Sequence, residues 1–187
     1  MECIRFEKVR DGKYLKNYEI TYLNRQGKEK KYEIVSRQEL SDVQDLGAKP
    51  SGVSIVATCQ DKLLLLHEFR MGVNRSIYNL CAGMLETGET IEDCIARELM
   101  EETGMRVVRI KKILPPSFAA VAISDTTTYI AFAEVEGVPY SGGSSANEEI
   151  QADLYSREQV KNLLETAEFS SRAQIAAYYF TELMDLS

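Results

Sequence analysis

Three glutamates close together in the sequence have the side chains and the spacing that a divalent cation requires. Glu98, Glu101 and Glu102 lie within the segment GMLETGETIEDCIARELMEETGM, which covers residues 83–105. Side chains three and four residues apart lie on one face of a helix, so these carboxylates would be neighbours. Two carboxylates about 5 Å apart repel by roughly 3 kcal/mol at an effective dielectric constant of about 20. A shared hard cation such as Mg²⁺ or Mn²⁺ would relieve this repulsion.

The apolar residues of this segment predict a helix that packs against a core. Ile91, Ile95, Glu98, Glu102 and Met105 follow one another at intervals of four and three residues, which places them along one stripe. The three glutamates therefore continue a face that begins in the core, where a charge without a partner is costly. The alternative is a solvated acidic face, because glutamate favours helices and acidic runs are common.

The elements around this helix predict an α/β fold. The helix is expected at Ile91–Thr103, with Thr90 as its N-cap and Gly104 as its C-terminal stop. Strands are expected at the runs YEITYL, KKYEIV, GVSIVATC, KLLLLHEF, RVVRIKKIL and TTYIAFAEV. Two more helices close the chain, one from the cap Ser156 and one over residues 171–183. Strands mixed with helices indicate a sheet covered on both faces, an α/β/α sandwich.

A β-rich arm is expected to precede the main domain. Its two strands flank the polar turn Asn-Arg-Gln-Gly at residues 24–27, which is typical of a hairpin. The sequence Lys-Pro-Ser-Gly at residues 49–52 is typical of a boundary. We therefore predict an N-terminal arm over residues 1–48 and one domain over residues 49–187.

Composition and charge argue against several classes of protein. The net charge of −7 disfavours a general nucleic-acid binder, whose surface is normally basic. The N-terminal sequence MECIRFEKVR lacks the pattern of a signal peptide, and no apolar run approaches membrane-spanning length. Cys3, Cys59, Cys81 and Cys94 are widely scattered, which favours free thiols over disulfides or a zinc site. The sequence therefore predicts a cytoplasmic protein without a nucleic-acid or membrane partner.

Residues 83–105 resemble the signature of the Nudix hydrolases at every specified position. That pattern is Gly, five residues, Glu, seven residues, then Arg-Glu-apolar-any-Glu-Glu-any-Gly-apolar. The matching residues in this chain are Gly83, Glu89, Arg97, Glu98, Leu99, Glu101, Glu102, Gly104 and Met105. The resemblance implies a Nudix-type α/β/α sandwich with a mixed sheet, in which water attacks one phosphorus of a pyrophosphate with the help of metal ions.

The resemblance also implies which residues bind the metal. Glu98 and Glu102 would be the principal ligands of Mg²⁺ or Mn²⁺, with Glu101 as a further ligand or close support. The backbone carbonyl of Ala82 would be an additional ligand.

The remaining residues of the signature would have supporting roles. Arg97 would orient the carboxylates by a salt bridge, with Glu89 as its partner. Gly83 would allow a tight backbone approach, and Gly104 would end the helix.

The rest of the chain resembles the branch of ADP-ribose and nucleotide-sugar pyrophosphatases. The resemblance lies in the β-rich arm, in the strand ending His-Glu-Phe-Arg at residues 67–70, and in Asn-Glu-Glu-Ile at residues 147–150. It implies a homodimer formed through the arm, and an acidic loop that contributes a carboxylate as a base or extra metal ligand. Glu148 is the first candidate and Glu149 the second. The alternative for this pair is a polar loop before a strand.

Three departures from that branch leave the substrate open. Asn-Leu-Cys at residues 79–81 stands where the branch usually has Glu-Leu-Pro, and Ala-Val-Ala at residues 120–122 replaces a typical Ser-Pro-Gly turn. The acidic loop carries Ala146 where another acid is frequent. Arg70 could hold a substrate phosphate or ribose, or it could form a structural ion pair. The expected substrate is a nucleoside diphosphate linked to a further group, with ADP-ribose or a nucleotide sugar favoured. The alternative function is a non-catalytic Nudix-fold nucleotide-binding or regulatory module.

Overall fold

The computed structural model describes residues 1–140 and 149–184, which contain ten strands and three α-helices. The strands are β1 (Glu2–Asp11), β2 (Lys16–Leu23), β3 (Glu29–Ser36), β4 (Gly52–Cys59), β5 (Lys62–Arg70), β6 (Arg75–Asn79), β7 (Cys81–Met84), β8 (Arg106–Phe118), β9 (Thr127–Glu136) and β10 (Ile150–Tyr155). The helices are α1 (Ile91–Thr103), α2 (Arg157–Thr166) and α3 (Ser171–Glu182). None of these helices is both long and apolar enough to cross a membrane.

One compact unit combines residues 1–51 with Pro116–Thr128. Its three strands form an antiparallel sheet with β2 between β1 and β3. Tyr18, Ile20, Ile34 and Leu40 are buried together beside this sheet. The hydroxyl of Tyr18 accepts a hydrogen bond from the backbone N–H of Leu40 at 2.8 Å, so the largest side chain of this small core has its polar atom satisfied.

A second compact unit combines Gly52–Pro115 with the described residues from Tyr129 onward. The predicted boundary after residue 48 lies close to Ser51, where the first unit's N-terminal segment ends. Residues 116–128 were expected to lie within the domain over 49–187, but they group with the first unit. The division at residue 48 stays a prediction.

The large sheet has the strand order β10-β5-β4-β9-β8, with β6 paired to β5 and β7 paired to β4. Successive residues of a strand face opposite sides of a sheet. Ile55 of β4 accordingly packs in the same cluster as Leu99 of α1, whereas Val56 packs with Phe180 of α3. Helices therefore cover both faces, and the predicted α/β/α sandwich with a mixed sheet is confirmed.

Local sequence signals set the ends of the helices. At the start of α1 the hydroxyl of Thr90 accepts a hydrogen bond from the backbone N–H of Asp93 at 3.2 Å. At its end Gly104 has the left-handed φ of 70°, and its N–H donates to the carbonyl of Met100. Ser156 forms a reciprocal capping box at the start of α2. The predicted bounds of α1 are therefore confirmed at both ends.

Four of the ten strands, β1, β6, β7 and β10, were not among the six runs expected as strands. β1 carries charged residues along most of its length, and all but two of its ten residues are exposed, so it lacks the alternation that identifies a half-buried strand. β7 has four residues, too few for any period to be read. β1 and β7 form because the neighbouring strands, β2 and β4, supply partners for their backbone hydrogen bonds.

Candidate active site

The backbone of Gly83 lies close against the carboxylate of Glu98. Gly83 pairs with Val53 of β4, and this pairing brings β7 next to the inner face of α1. A Cβ atom at residue 83 would lie 1.7 Å from both Cδ and Oε1 of Glu98. Only glycine leaves room for this carboxylate, whose residue is 8% exposed.

Glu102 lies one turn further along α1 and also contacts β7. Its Oε2 accepts a hydrogen bond from the backbone N–H of Ala82 at 3.1 Å. Burial is the largest cause that raises the pKa of Glu102 to about 7, and the negative charges of Glu98 and Glu68 contribute to the same shift. Hydrogen bonds from the Cys81 thiol and the Ala82 N–H act in the opposite direction.

Arg97 connects the glutamates around it. Its Nε and Nη2 donate to the two carboxylate oxygens of Glu89 at 2.8 and 3.0 Å, and this bidentate pair lowers the pKa of Glu89 to about 2. Its Nη1 donates to Glu98 at 2.7 Å and to Glu101 at 3.1 Å. A fifth contact, from Nη2 to the carbonyl of Met84, ties the guanidinium to the end of β7.

The position of Glu101 differs from the expectation that all three glutamates continue the core-facing stripe. Its side chain is 46% exposed and its carboxylate reaches sideways to Arg97. Successive helical residues are rotated by about 100°, so residue 101 lies at the edge of the face that Glu98 and Glu102 occupy. Glu92 and Asp93, which face away from the core, are exposed.

A fifth carboxylate, Glu68, joins the site from β5 and was not among the expected site residues. Its residue is 6% exposed. Its Oε1 accepts a hydrogen bond from Asn79 at 2.6 Å, and its Oε2 accepts one from Arg70 at 3.3 Å. The sequence signal that could have revealed it is an acid two residues before an arginine at the end of a buried strand.

The acidic loop is described only in part. Glu149 is exposed, and its carbonyl accepts a hydrogen bond from the N–H of Phe69 at the end of β5. This contact fixes the backbone of Glu149 beside β5. Glu148 lies outside the described residues.

The oxygen atoms of this site fit a hard divalent cation. Glu98 and Glu102 are carboxylates held beside one strand, and burial raises the pKa of each. None of the ion pairs among the described residues includes Glu102, so a bound cation would compensate a negative charge that these ion pairs do not offset. Within residues 1–140 and 149–184, no three acidic, histidine or cysteine side chains already surround one point as metal ligands. Glu98 and Glu101 instead face the guanidinium of Arg97.

In a comparison with known protein families, residues 48–178 match the family described as the NUDIX domain. The chain is 28% identical to an ADP-ribose pyrophosphatase of Escherichia coli (strain K12) over 132 residues, which are 66% of this chain and 63% of that protein. It is 30% identical to an ADP-ribose pyrophosphatase of Bacillus subtilis (strain 168) over 134 residues, 71% of this chain and 65% of that one. The chain thus spans less than two thirds of the length of either relative.

Two further similarities cover different amounts of the chain. A solved structure described as an ADP compounds hydrolase superposes with a TM-score of 0.72 at 19% identity, covering 95% of this chain and 90% of that one. An NAD-capped RNA hydrolase of Vibrio parahaemolyticus is 46% identical over 57 residues, which are 30% of this chain and 22% of that protein. The first similarity extends over the whole fold, whereas the second is confined to a short segment.

Proposed function

Because the chain belongs to the NUDIX domain family, we propose that it is a Nudix hydrolase that cleaves the diphosphate of a nucleoside diphosphate linked to a further group. The observation that carries the proposal is the placement of Glu98 and Glu102 against β7, where the missing Cβ of Gly83 leaves room for the Glu98 carboxylate. Such a pair of carboxylates costs free energy unless a cation or a proton accompanies it. A bound metal ion would offset this free-energy cost, which supports a metal site at these two carboxylates.

Glu98 and Glu102 would hold Mg²⁺ or Mn²⁺, with Glu101 and the Ala82 carbonyl as further ligands. The bound ion would supply neutralisation of phosphate charge and a lower pKa for the attacking water. Arg97 would fix the directions of Glu98 and Glu101 through its hydrogen bonds. In the reaction, the oxygen of water bonds to one phosphorus, the P–O–P bond breaks, and two phosphate monoesters leave.

A base is needed to accept the proton of the attacking water. We propose Glu148 as the first candidate for this role, or for an additional metal ligand, and Glu149 as the second. The backbone of Glu149 lies beside the end of β5, which also carries Glu68.

The favoured substrates are ADP-ribose or a nucleotide sugar. Two relatives with about 30% identity are named for ADP-ribose, which supports a nucleoside diphosphate derivative here. Arg70 would bind a substrate phosphate or ribose from the end of β5. Its side chain is 56% exposed, so most of its N–H donors remain accessible to a ligand.

A panel of diphosphate substrates tests the proposed function. The purified protein would be incubated with Mg²⁺ or Mn²⁺ and ADP-ribose, ADP-glucose, GDP-mannose, a dinucleoside polyphosphate or NADH, with alkaline phosphatase present. The phosphatase releases phosphate from the monoester products and leaves an internal diphosphate intact. We expect phosphate release from ADP-ribose or a nucleotide sugar, and none without a divalent ion. If none of the panel compounds released phosphate, the result would contradict the proposal and would favour the non-catalytic binding module.

We also propose that the protein is a homodimer formed through the unit that contains the arm. This unit has a groove of about 300 Å³ lined by Tyr22, Tyr32, Leu46, Phe118 and Val121 among others. Val121 is 71% exposed and Phe118 is 55% exposed. Contiguous exposed apolar surface of this kind is typical of protein interfaces.

Substitution of Val121 by glutamate is expected to convert the dimer into a monomer. The new charge would have to be buried without a partner in the interface, which costs several kcal/mol. Analytical ultracentrifugation of the parent and the variant would measure the change, with Val138→Glu in the second unit as an exposed control. A parent protein that sediments as a monomer would refute the dimer itself.

The thiols support the expected location in a reducing cytoplasm. Cys3, Cys59, Cys81 and Cys94 are all free, and the last two are buried. Free cysteines persist in reducing compartments, whereas secreted proteins usually pair them.

A further inference from the structure

A hydrogen-bonded chain of four side chains connects the N-terminus of α3 to the end of β5. It consists of Ser170, Asn79, Glu68 and Arg70. The Ser170 hydroxyl donates to Oδ1 of Asn79 at 2.7 Å, Nδ2 of Asn79 donates to Glu68 at 2.6 Å, and Arg70 donates to Glu68 at 3.3 Å. Each side chain in the series is therefore held by the one before it.

The amide of Asn79 has one possible orientation. Its Oδ1 also accepts the backbone N–H of Leu80 at 3.0 Å, and an N–H donor requires an oxygen opposite it. Nδ2 must then face Glu68, which accepts the hydrogen bond as a carboxylate. Asn79 is itself anchored, because Tyr78 beside it exchanges backbone hydrogen bonds with Glu168 and Ser170.

Glu68 is fixed on both of its oxygens while its partner Arg70 remains accessible. The side chain of Glu68 is 8% exposed, against 56% for Arg70. Among the described residues, Arg70 donates its side-chain hydrogen bond to Glu68 from Nη1. A guanidinium has five N–H donors, so the others can meet a ligand from solvent.

Stability alone does not account for this arrangement. A buried carboxylate loses its hydration, and an ion pair with a half-exposed arginine returns little of that cost. The arrangement does restrict the direction of the Arg70 side chain, which would otherwise move freely at a strand end. A fixed guanidinium loses less conformational entropy when it binds a phosphate.

We propose that Glu68 and Asn79 are positioning residues for substrate binding, which hold the guanidinium of Arg70 in place to bind a phosphate oxygen of the nucleoside diphosphate. This inference rests on the proposed function and deepens it. It assigns Glu68 the role of holding Arg70 in place, although the negative charge of Glu68 also acts on Glu102.

A double-mutant cycle on Glu68 and Arg70 tests the proposal. Glu68→Gln keeps an oxygen for the Asn79 hydrogen bond and removes the charge that holds Arg70. For ADP-ribose, or for the panel compound that the parent hydrolyses, Arg70→Ala should raise KM roughly tenfold, as expected for a lost charge-assisted hydrogen bond. Glu68→Gln alone should raise KM roughly threefold, and the double variant should be no worse than Arg70→Ala, with kcat within about twofold throughout.

Two further measurements separate positioning from other roles. Mn²⁺ affinity, followed by the electron paramagnetic resonance of the free ion, should be unchanged in Glu68→Gln and lost in Glu102→Gln. Arg109→Ala removes another exposed arginine that pairs with one glutamate, Glu134, and should leave KM unchanged.

Three results would overturn the inference. Additive effects of Glu68→Gln and Arg70→Ala on KM would show that the two residues act independently. A tenfold loss of Mn²⁺ affinity in Glu68→Gln would assign this carboxylate to the metal instead. An inactive parent would remove the proposed function and this inference with it, whereas an active parent with additive variants would remove the inference alone.

Discussion

Substitution of Glu102 by glutamine is expected to abolish turnover, with kcat/KM falling roughly a thousandfold or more. Glutamine has nearly the shape of glutamate but carries no charge, so the metal would lose a principal ligand. A catalytic divalent ion contributes several kcal/mol to transition-state stabilisation, and each 1.36 kcal/mol is a factor of ten in rate. The measurement is the initial rate of phosphate release from the best panel substrate across a range of Mg²⁺ concentrations.

The same variant should remain folded, which separates loss of metal binding from loss of structure. The pKa of Glu102 is about 7 in the folded protein, against an ordinary value of 4.5. The folded state therefore binds this proton more tightly than the unfolded chain, and stability falls as pH rises from about 4.5 through 7. Above that range the parent holds a buried charge that glutamine lacks. With a chelator at pH 8, the variant should melt no lower than the parent.

Glu92→Gln provides the matched control for this experiment. It makes the same chemical change in the same helix, at an exposed position outside the site, and should keep full activity. If a folded Glu102→Gln protein retained turnover, that result would contradict the assignment of this residue as a metal ligand. Equal losses in the two variants would point instead to a general effect of charge on α1.

Helix α1 could be predicted from the sequence because the signals that define it are local. Its apolar stripe, its N-cap Thr90 and its stop Gly104 all lie within one segment, and each corresponds to a contact in the structure. The expected pairing of Arg97 with Glu89 is likewise present at 2.8 Å. Close spacing along a helix limits the possible geometries, so residue types alone were sufficient there.

The contacts of Glu68 and Asn79 could not be predicted in the same way. Asn79 lies 11 residues from Glu68 and 91 residues from Ser170, and these contacts depend on strand pairing and on the docking of α3. From the sequence, Asn79 was a departure from the Glu-Leu-Pro pattern of the related pyrophosphatases. The structure shows that the neighbouring carboxylate is supplied from β5 and that the asparagine donates to it. Such contacts depend on which strands pair and in which register, and no local sequence pattern shows which distant strands are partners.

Substitution of Gly83 by alanine is expected to lower kcat/KM roughly a hundredfold while leaving the fold intact. The added Cβ would lie 1.7 Å from the carboxylate of Glu98, so the carboxylate must move by about 1 Å or more. It is the far end of a flexible side chain, and it can move without disturbing the core residues of α1. A displacement of about 1 Å in a catalytic group costs on the order of a hundredfold in rate. Kinetics, Mn²⁺ affinity and the melting temperature would be compared with those of the parent.

Gly72→Ala is the matched control, because a Cβ at that position meets nothing within 4 Å. It should have the activity and the Mn²⁺ affinity of the parent. A Gly83→Ala protein with full activity would mean that the position of the Glu98 carboxylate in this structure is not the one used in turnover. A protein that fails to fold would instead assign Gly83 to the pairing of β7 with β4. Weakened Mn²⁺ binding at an unchanged melting temperature is the result that links the backbone of β7 directly to the metal ligands of α1.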